Sequence, residues 1–286
     1  MKIKITFLLI YILLARITIA QSPLENNMPA SGVLGQLNFT SGGLGTPSGV
    51  AIDPTTGKLF VVDRYNNRVL RWDSAAKMIN GSSAEAVFGQ LNFNTSTSGL
   101  SSSKFNDPLR VFIDSNGSLW VSDYLNNRVL RFDSASYKSS GASANLVIGQ
   151  NNFTTNSSGT AVNKMYGPVG VFVDNNDRLW VADRLNHRVL RFDNASTKTN
   201  GANADAVLGQ SEFTSGTSGL SATKMNRPMG VYADSQDHLW VCEDDNNRVL
   251  RFDNASLKTN GAAADGVLGQ PDFTTNTKSQ TRNGVS

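Results

Sequence analysis

The sequence predicts an all-β fold, a β-propeller of four-stranded antiparallel blades, with either four full repeats alone or four full repeats and a partial fifth. The first observation is a repeat of 60 residues, in which Asn66-Asn67-Arg68 returns three times, once with His in the middle. Each repeat also holds four short segments of strand character. A large aromatic residue recurs in the second segment of the repeats, as Phe60, Trp120, Trp180 and Trp240. Small sheets with two apolar faces must pack against neighbours, and radial packing of such sheets gives a propeller.

The third repeat shows the four predicted strands most plainly, at residues 170–174, 178–183, 188–193 and 206–210. Each is rich in β-branched or aromatic residues and ends in a polar or glycine-bearing turn. Asn175-Asn176-Asp177 fits a tight hairpin because Asn and Asp tolerate positive φ. The propeller is therefore predicted over residues 33–270, with blades at about 47–90, 107–150, 167–210 and 227–270.

The two ends of the repeat region leave the closure of the ring open. Val33-Leu34-Gly35-Gln36 matches the last strand of a repeat, so it predicts an isolated strand before the first blade. Residues 271–286 form a predicted C-terminal tail that can supply at most one further strand. The four blades could close with one of these ends overlapping the seam, form an open arc, or pair their open edges with another copy.

The first twenty residues have the pattern of a signal peptide. Lys2 and Lys4 precede an apolar run at 5–15, and small residues at Thr18-Ile19-Ala20 precede Gln21. A membrane anchor is the alternative, but Arg16 interrupts the run before it reaches the length of a membrane span. We expect cleavage near residue 20, a linker at 21–32, and a secreted, extracellular protein that no longer contacts the membrane.

The charge balance argues against a nucleic-acid partner. The chain carries 26 basic and 23 acidic residues, a net charge of +3. Without Lys2, Lys4 and Arg16 the two signs are equal, so no positive field remains that would attract phosphates.

The cysteine and sequon content is compatible with an extracellular protein. With one cysteine the chain forms no internal disulfide, so its stability must come from packing. Cys242 is the only cysteine of the 286 residues and follows Trp240-Val241, so we expect a small buried residue. Eight Asn-x-Ser/Thr sequons permit a glycoprotein. They are at Asn38, Asn80, Asn94, Asn116, Asn152, Asn156, Asn194 and Asn254.

The segment Val-Ala-Asp-Arg-Leu-Asn-His-Arg-Val-Leu at 181–190, preceded by Gly-Pro-Val-Gly-Val at 167–171, resembles the NHL repeat, a propeller-blade family. The resemblance recurs in all four repeats and covers about residues 33–270. The family includes extracellular binding modules, receptor-like sensors, RNA-binding regulators and a few lyases, so the resemblance implies a scaffold and no particular activity. NHL propellers commonly have six blades, whereas this chain has four full repeats.

The repeated signature of Asp, Asn and Arg has a structural explanation. The Asp ends the second strand and is expected to accept hydrogen bonds from N–H groups of the following turn, while the Arg opens the third strand. The signature residues are Asp63, Asn66, Arg68, Asp123, Asn126, Arg128, Asp183, Asn186, Arg188, Asn246 and Arg248. In the fourth repeat Glu243 replaces the Asp and Asp244-Asp245 follow, which predicts either a poorer turn or a local acidic site.

The residues offer little material for catalysis. Only His187 and His238 are present, so we predict no catalytic residues, no metal site, no cofactor and no enzymatic activity. One aspartate per repeat, at Asp53, Asp114, Asp174 and Asp234, is expected to begin a hairpin turn rather than to form a ring that binds calcium. The alternative is a metal-dependent propeller enzyme of the lyase or lactonase-like type, with a metal ion in the central channel.

One face of the propeller is the candidate binding surface. The turns between the second and third strands emerge there together with the interblade linkers, residues 91–107, 151–167 and 211–227, and the turn residues differ between repeats. Such variation is typical of a recognition surface, although unconstrained turns would vary as well. We predict a protein, glycan or other extracellular ligand on this face. The candidate residues are Arg64, Tyr65, Lys104, Arg110, Tyr124, Lys164, Arg184, Lys224, Asp244 and Asp245.

Overall fold

The computed structural model describes residues 43–278, together with residues 30, 33, 34 and 36. The predicted signal peptide lies outside the described residues. Within them, no helix has the length and apolar character needed to cross a membrane.

The described residues form sixteen strands in four antiparallel sheets, and each sheet contains four strands in chain order. The first blade is β1 (Pro47–Ile52), β2 (Leu59–Asp63), β3 (Arg68–Trp72) and β4 (Ala86–Phe88). The second is β5 (Pro108–Ile113), β6 (Leu119–Asp123), β7 (Arg128–Phe132) and β8 (Leu146–Ile148). The third is β9 (Pro168–Val173), β10 (Leu179–Asp183), β11 (Arg188–Phe192) and β12 (Ala206–Leu208). The fourth is β13 (Pro228–Ala233), β14 (Leu239–Glu243), β15 (Arg248–Phe252) and β16 (Gly266–Leu268).

In residues 43–278, helical structure is limited to single 3₁₀ turns between strands. They are Arg64–Asn66, Ala75–Lys77, Tyr124–Asn126, Ala135–Tyr137, Arg184–Asn186, Ala195–Thr197 and Ala255–Leu257. The predicted all-β propeller of four blades is confirmed.

The strand boundaries differ from the predicted ones by a few residues. Strand β9 begins at Pro168, two residues early, because Pro168 pairs with Asp183 across a bulge. The predicted strand at 33–36 is absent from its described residues, 33, 34 and 36. The backbone N–H of Val33 instead donates to Asn80 Oδ1 at 3.0 Å.

The second and third blades each pack against a neighbouring blade on both of their faces. We call the face directed to the next blade the leading face and the opposite one the trailing face. Trp120, on the leading face of the second blade, packs with Val171 and Leu179 on the trailing face of the third. Trp180 packs in the same way against the fourth blade. Burial of these aromatic side chains between sheets helps to hold the blades together, with the other apolar residues of the same clusters.

We call the first strand of each blade (β1, β5, β9 and β13) its inner strand. The aspartate that follows the inner strand fixes the first hairpin of the blade. Asp174 Oδ1 accepts from the N–H groups of Asn176 and Arg178, and Asp174 Oδ2 accepts from Trp180 Nε1 at 3.0 Å. The same bonds recur in the second and fourth blades. Burial raises the pKa of Asp234, but hydrogen bonds from His238 and Trp240 outweigh it and lower the pKa to about 2. In these three blades the carboxylate therefore accepts hydrogen bonds from the N–H groups of the turn and from the tryptophan side chain.

The arc of blades has two open ends. Val50 and Ile52 of the first blade are 64% and 53% exposed, while their counterparts in the second blade, Val111 and Ile113, are buried. At the other end, Tyr232 and Leu268 are 55% and 56% exposed. Within the described residues, the first and fourth blades do not bury these side chains against each other.

Cys242 is exposed, so the expectation of a buried thiol is wrong. Its counterparts Val62, Ser122 and Ala182 are fully buried on the leading faces of the first three blades. Cys242 lies on the leading face of the fourth blade, where no described blade follows. The sequence pattern is the same in all four blades, and the missing neighbour makes the difference.

Candidate ligand-binding site

The four inner strands bring equivalent residues to one cavity of about 280 Å³. The second residue of each inner strand lines it, as Ser48, Leu109, Val169 and Met229. The cavity opens on the face that carries the turns between the second and third strands. Sequence analysis did not identify these four residues, although each directly follows a proline that recurs once per repeat.

Four of the predicted binding residues meet in this cavity, which we call the axial pocket. Arg64, Tyr124 and Arg184 come from equivalent turn positions of three successive blades, and Arg110 comes from inner strand β5. Three guanidinium groups and a phenol give the axial pocket many hydrogen-bond donors. Tyr65, beside it in the first turn, is exposed and contacts the guanidinium of Arg64.

Arg110 occupies a position that is glycine in the other three blades, namely Gly49, Gly170 and Gly230. At Gly170 an added Cβ would lie 2.7 Å from Met229 O, so adjacent inner strands leave no room for a side chain there. In strand β5 the pairing with β6 is interrupted from Pro108 to Val111, and the backbone N–H of Arg110 donates to Ser122 Oγ instead. The third blade has the same interruption at Gly170, so the interruption is not specific to Arg110. The Arg110 side chain lines the axial pocket.

The charges of the axial pocket are only partly neutralised by the protein. Arg64 makes a bidentate pair with Asp107, at 2.5 and 2.8 Å, and this carboxylate raises the pKa of Arg64. Arg184 Nη2 donates to Asp244 Oδ2 at 2.9 Å. Arg110 donates to the carbonyl oxygens of Ser48 and Leu109. No described carboxylate pairs with Arg110, so the axial pocket keeps one formal positive charge.

The three predicted lysines lie in the interblade linkers, away from the axial pocket. Lys104 Nζ donates to Gln90 Oε1 and Thr97 Oγ1, both at 3.0 Å. Lys164 and Lys224 repeat this arrangement with Gln150 and Gln210. Each ammonium group therefore bonds to its own linker and to the glutamine that follows the last strand of the preceding blade.

The signature residues form a buried network that holds the linkers. Asp183 Oδ2 accepts from Asn186 Nδ2 at 2.8 Å and from Arg188 Nε at 2.7 Å. Asp183 Oδ1 accepts from the N–H of Tyr166 at 2.7 Å. Asp183 thus binds the linker before its own blade, and not the N–H groups of the following turn as expected. The same network recurs at Asp63, Asn66 and Arg68, and at Asp123, Asn126 and Arg128.

The fourth blade keeps the network with a longer carboxylic acid. Glu243 is buried and accepts from the N–H of Asn226, from Asn246 and from Arg248. The following residues form a plain turn rather than a 3₁₀ turn. Asp244 and Asp245 are exposed and pair with Arg184 and Arg227. The alternatives for this repeat were a poorer turn and a local acidic site. The geometry around Glu243 corresponds to an altered turn.

The two histidines serve local contacts. His187 has φ of +53°, and its Nδ1 accepts from the N–H of Arg227 at 3.1 Å. Asn67 and Asn127 accept the equivalent hydrogen bond in the earlier blades. Burial lowers the pKa of His187, which favours the neutral ring that such an acceptor needs. His238 contacts Asp234. Across the described part of the chain, no three His, Cys, Asp or Glu side chains are grouped to hold a metal ion.

Comparison with known proteins agrees with this architecture. The family model described as NHL repeat matches residues 44–72 and 165–192, which confirms the resemblance noted in the sequence. No curated protein sequence matches the chain.

Several solved structures match this chain. A nidogen/laminin complex matches with a TM-score of 0.50 and 16% identity, over 78% of this chain and 64% of that chain. Virginiamycin B lyase from Staphylococcus aureus matches with a TM-score of 0.45 and 17% identity, over 73% of this chain and 52% of that chain. The chain thus spans about half to two thirds of the length of these proteins. At such identity the likeness concerns the fold alone.

Proposed function

We propose that this chain of NHL repeats is a secreted, non-enzymatic binding scaffold that recognises an acidic group of an extracellular protein or glycan in the axial pocket. The observation that carries the proposal is Arg110, a guanidinium that replaces glycine beside the axis and has no described carboxylate partner. A ligand carboxylate or sulfate would supply the missing negative charge. A planar guanidinium can bind such a group through two parallel hydrogen bonds.

The surroundings of Arg110 favour recognition of a group with defined shape. Arg64 and Arg184 are held by Asp107 and Asp244, which limits the rotamers of both side chains before a ligand arrives. Leu109, Val169 and Met229 give the axial pocket an apolar wall. This combination of an apolar wall and a few fixed polar groups is typical of binding sites for small moieties.

Replacing Arg110 by glutamine is expected to weaken ligand binding by about tenfold to a hundredfold, as loss of a charge-assisted hydrogen bond does. The experiment screens secreted proteins and acidic glycans for binding to the mature chain by biolayer interferometry, and then compares variants. Arg227→Gln is the matched control, since Arg227 lies on the same face outside the axial pocket and loses the same charge. Equal affinity of R110Q and the wild-type protein for every ligand found would contradict the proposal.

The secreted location and the absence of enzymatic activity are part of the same proposal. Expression in a eukaryotic cell should release into the medium a protein whose first residue is Gln21. The alternative, a metal-dependent propeller enzyme of lyase or lactonase-like type, predicts stoichiometric metal in the purified protein. We expect metal analysis to find none, and bound zinc or calcium lost together with an activity would favour the enzyme.

A further inference from the structure

The three interfaces between successive blades are built from the same contacts. The arginine near the end of each third strand donates to carbonyl oxygens in the outer 3₁₀ turn of the next blade. Arg191 does so to Ser256 O at 2.7 Å, and Arg71 and Arg131 do so in the earlier blades. The middle residue of each last strand donates its N–H to a polar side chain of the next blade, as Val207 does to Asn260 Oδ1 at 3.0 Å.

The leading face of the fourth blade carries the same groups without a partner. Leu268 is 56% exposed, whereas its counterpart Leu208 is 1% exposed. Tyr232 and Cys242 are exposed as well, and Trp240 is half-buried. In the described residues, no carbonyl of a following blade meets Arg251, and no side chain accepts from the N–H of Val267. This surface, which we call the open leading face, fits the trailing face of another NHL blade.

The trailing face of the first blade already holds a segment that imitates such a neighbour. Residues 32–36 read Gly-Val-Leu-Gly-Gln, identical to residues 266–270. Val33 N–H donates to Asn80 Oδ1 at 3.0 Å, the equivalent of the bond from Val207 to Asn260. Leu34 packs against Leu59, Val61 and Trp72, where the outer strand of a preceding blade would lie. The first blade therefore binds Val33 and Leu34 of this pentapeptide, and the fourth blade presents the same sequence at its outer edge.

We propose that the open leading face docks on the first blade of a second copy of this chain, with Val267 and Leu268 of one copy replacing Val33 and Leu34 of the other. The exchange is between equal partners, because the same backbone N–H and the same leucine are presented to Asn80 and its apolar neighbours. Burial of Leu268 is offset by the release of Leu34, so the net gain is the burial of Tyr232 and Trp240 against Val50 and Ile52. The contact is heterologous, so two copies that each dock on the other close a ring. This inference does not depend on the axial pocket.

Substitutions in the two identical pentapeptides should have opposite effects on self-association. Leu268→Asp places a charge on the open leading face and should weaken self-association at least tenfold. Leu34→Asp should release Val33 and Leu34 from the first blade, and therefore strengthen self-association. Leu257→Asp, at a leucine that is 79% exposed outside this surface, is the matched control and should change nothing.

Sedimentation velocity of the full mature chain, from about 1 to 100 μM, measures the association. Alkylation of Cys242, the only thiol, provides a second measurement, since docking covers Cys242 and should slow its reaction as the concentration rises. Circular dichroism melts identify any variant that has unfolded. Larger species than a dimer support the same contact if L268D suppresses them.

A monomer throughout this range, with alkylation independent of concentration, would overturn the inference. Association that L268D leaves intact, or that L34D weakens as much as L268D does, would overturn it equally.

Discussion

Replacing Trp180 by alanine is expected to lower the free energy of unfolding by about 3 to 5 kcal/mol, the usual range for a large aromatic residue lost from a core. Trp180 is 1% exposed and fills the space between the third and fourth blades, where Leu208, Met225 and Leu239 surround it. Its Nε1 also donates to Asp174 Oδ2, so the substitution leaves one lone pair of that carboxylate without its donor. Urea denaturation followed by circular dichroism measures the change.

The same substitution at Trp240 is the matched control. Trp240 occupies the equivalent strand position and donates to Asp234 in the same way, but no described blade covers it. At a protein concentration where the chain is a monomer, W240A should cost less than half as much as W180A. Equal losses would mean that stacking between blades does not stabilise the fold.

Replacing Arg188 by methionine is expected to cost about 3 to 5 kcal/mol, because it leaves the buried carboxylate of Asp183 without its ionic partner. Both side chains are fully buried, and the Arg188 Nε lies 2.7 Å from Asp183 Oδ2. Arg188 also donates to the carbonyl oxygens of Thr160 and Lys164 in the linker before its own blade, and of Phe213 in the linker after it. One side chain thus ties two linkers to the third blade.

Arg184→Met is the control for this substitution, since Arg184 pairs with an exposed Asp244 and its loss should cost less than about 1 kcal/mol. A loss at R188M no larger than at R184M would contradict a stabilising role of the buried network. Equilibrium denaturation of both variants in urea gives the comparison.

The loss in R188M should also depend on pH. Burial raises the pKa of Asp183 above its ordinary value even beside Arg188, and removal of the guanidinium raises it further. A carboxyl whose folded-state pKa exceeds its unfolded value binds more protons in the native state, so its contribution to stability falls as pH rises. The difference between R188M and the wild-type protein should therefore be smaller near pH 5 than near pH 8.

The pattern of the sequence was sufficient to predict the blades because its information is local. The 60-residue period, the alternation in the strands and the hairpin residues concern groups within one blade. Asn67 and His187 have positive φ as a turn of this kind requires, and Asp174 caps the hairpin that it was expected to begin. Such features depend on backbone geometry over a few residues, and they recur in every repeat.

The axial pocket was only partly predictable. Arg64, Tyr124 and Arg184 were identified because turn residues vary between repeats, whereas Leu109 and Met229 look like ordinary strand residues. The position of Arg110 in place of glycine was the available signal, but its meaning depends on how closely the inner strands approach. That distance is a property of neighbouring blades.

The amino-acid sequence by itself therefore determined the repeat, the four strands of each blade and the turn chemistry, since these follow from backbone preferences and side-chain periodicity. Only the tertiary structure decided which apolar faces are covered. Cys242 and Val62 occupy equivalent positions, and one is exposed while the other is buried because a blade follows only the second of them. Burial depends on what packs against a residue, and the neighbour is not encoded in the residue's own repeat.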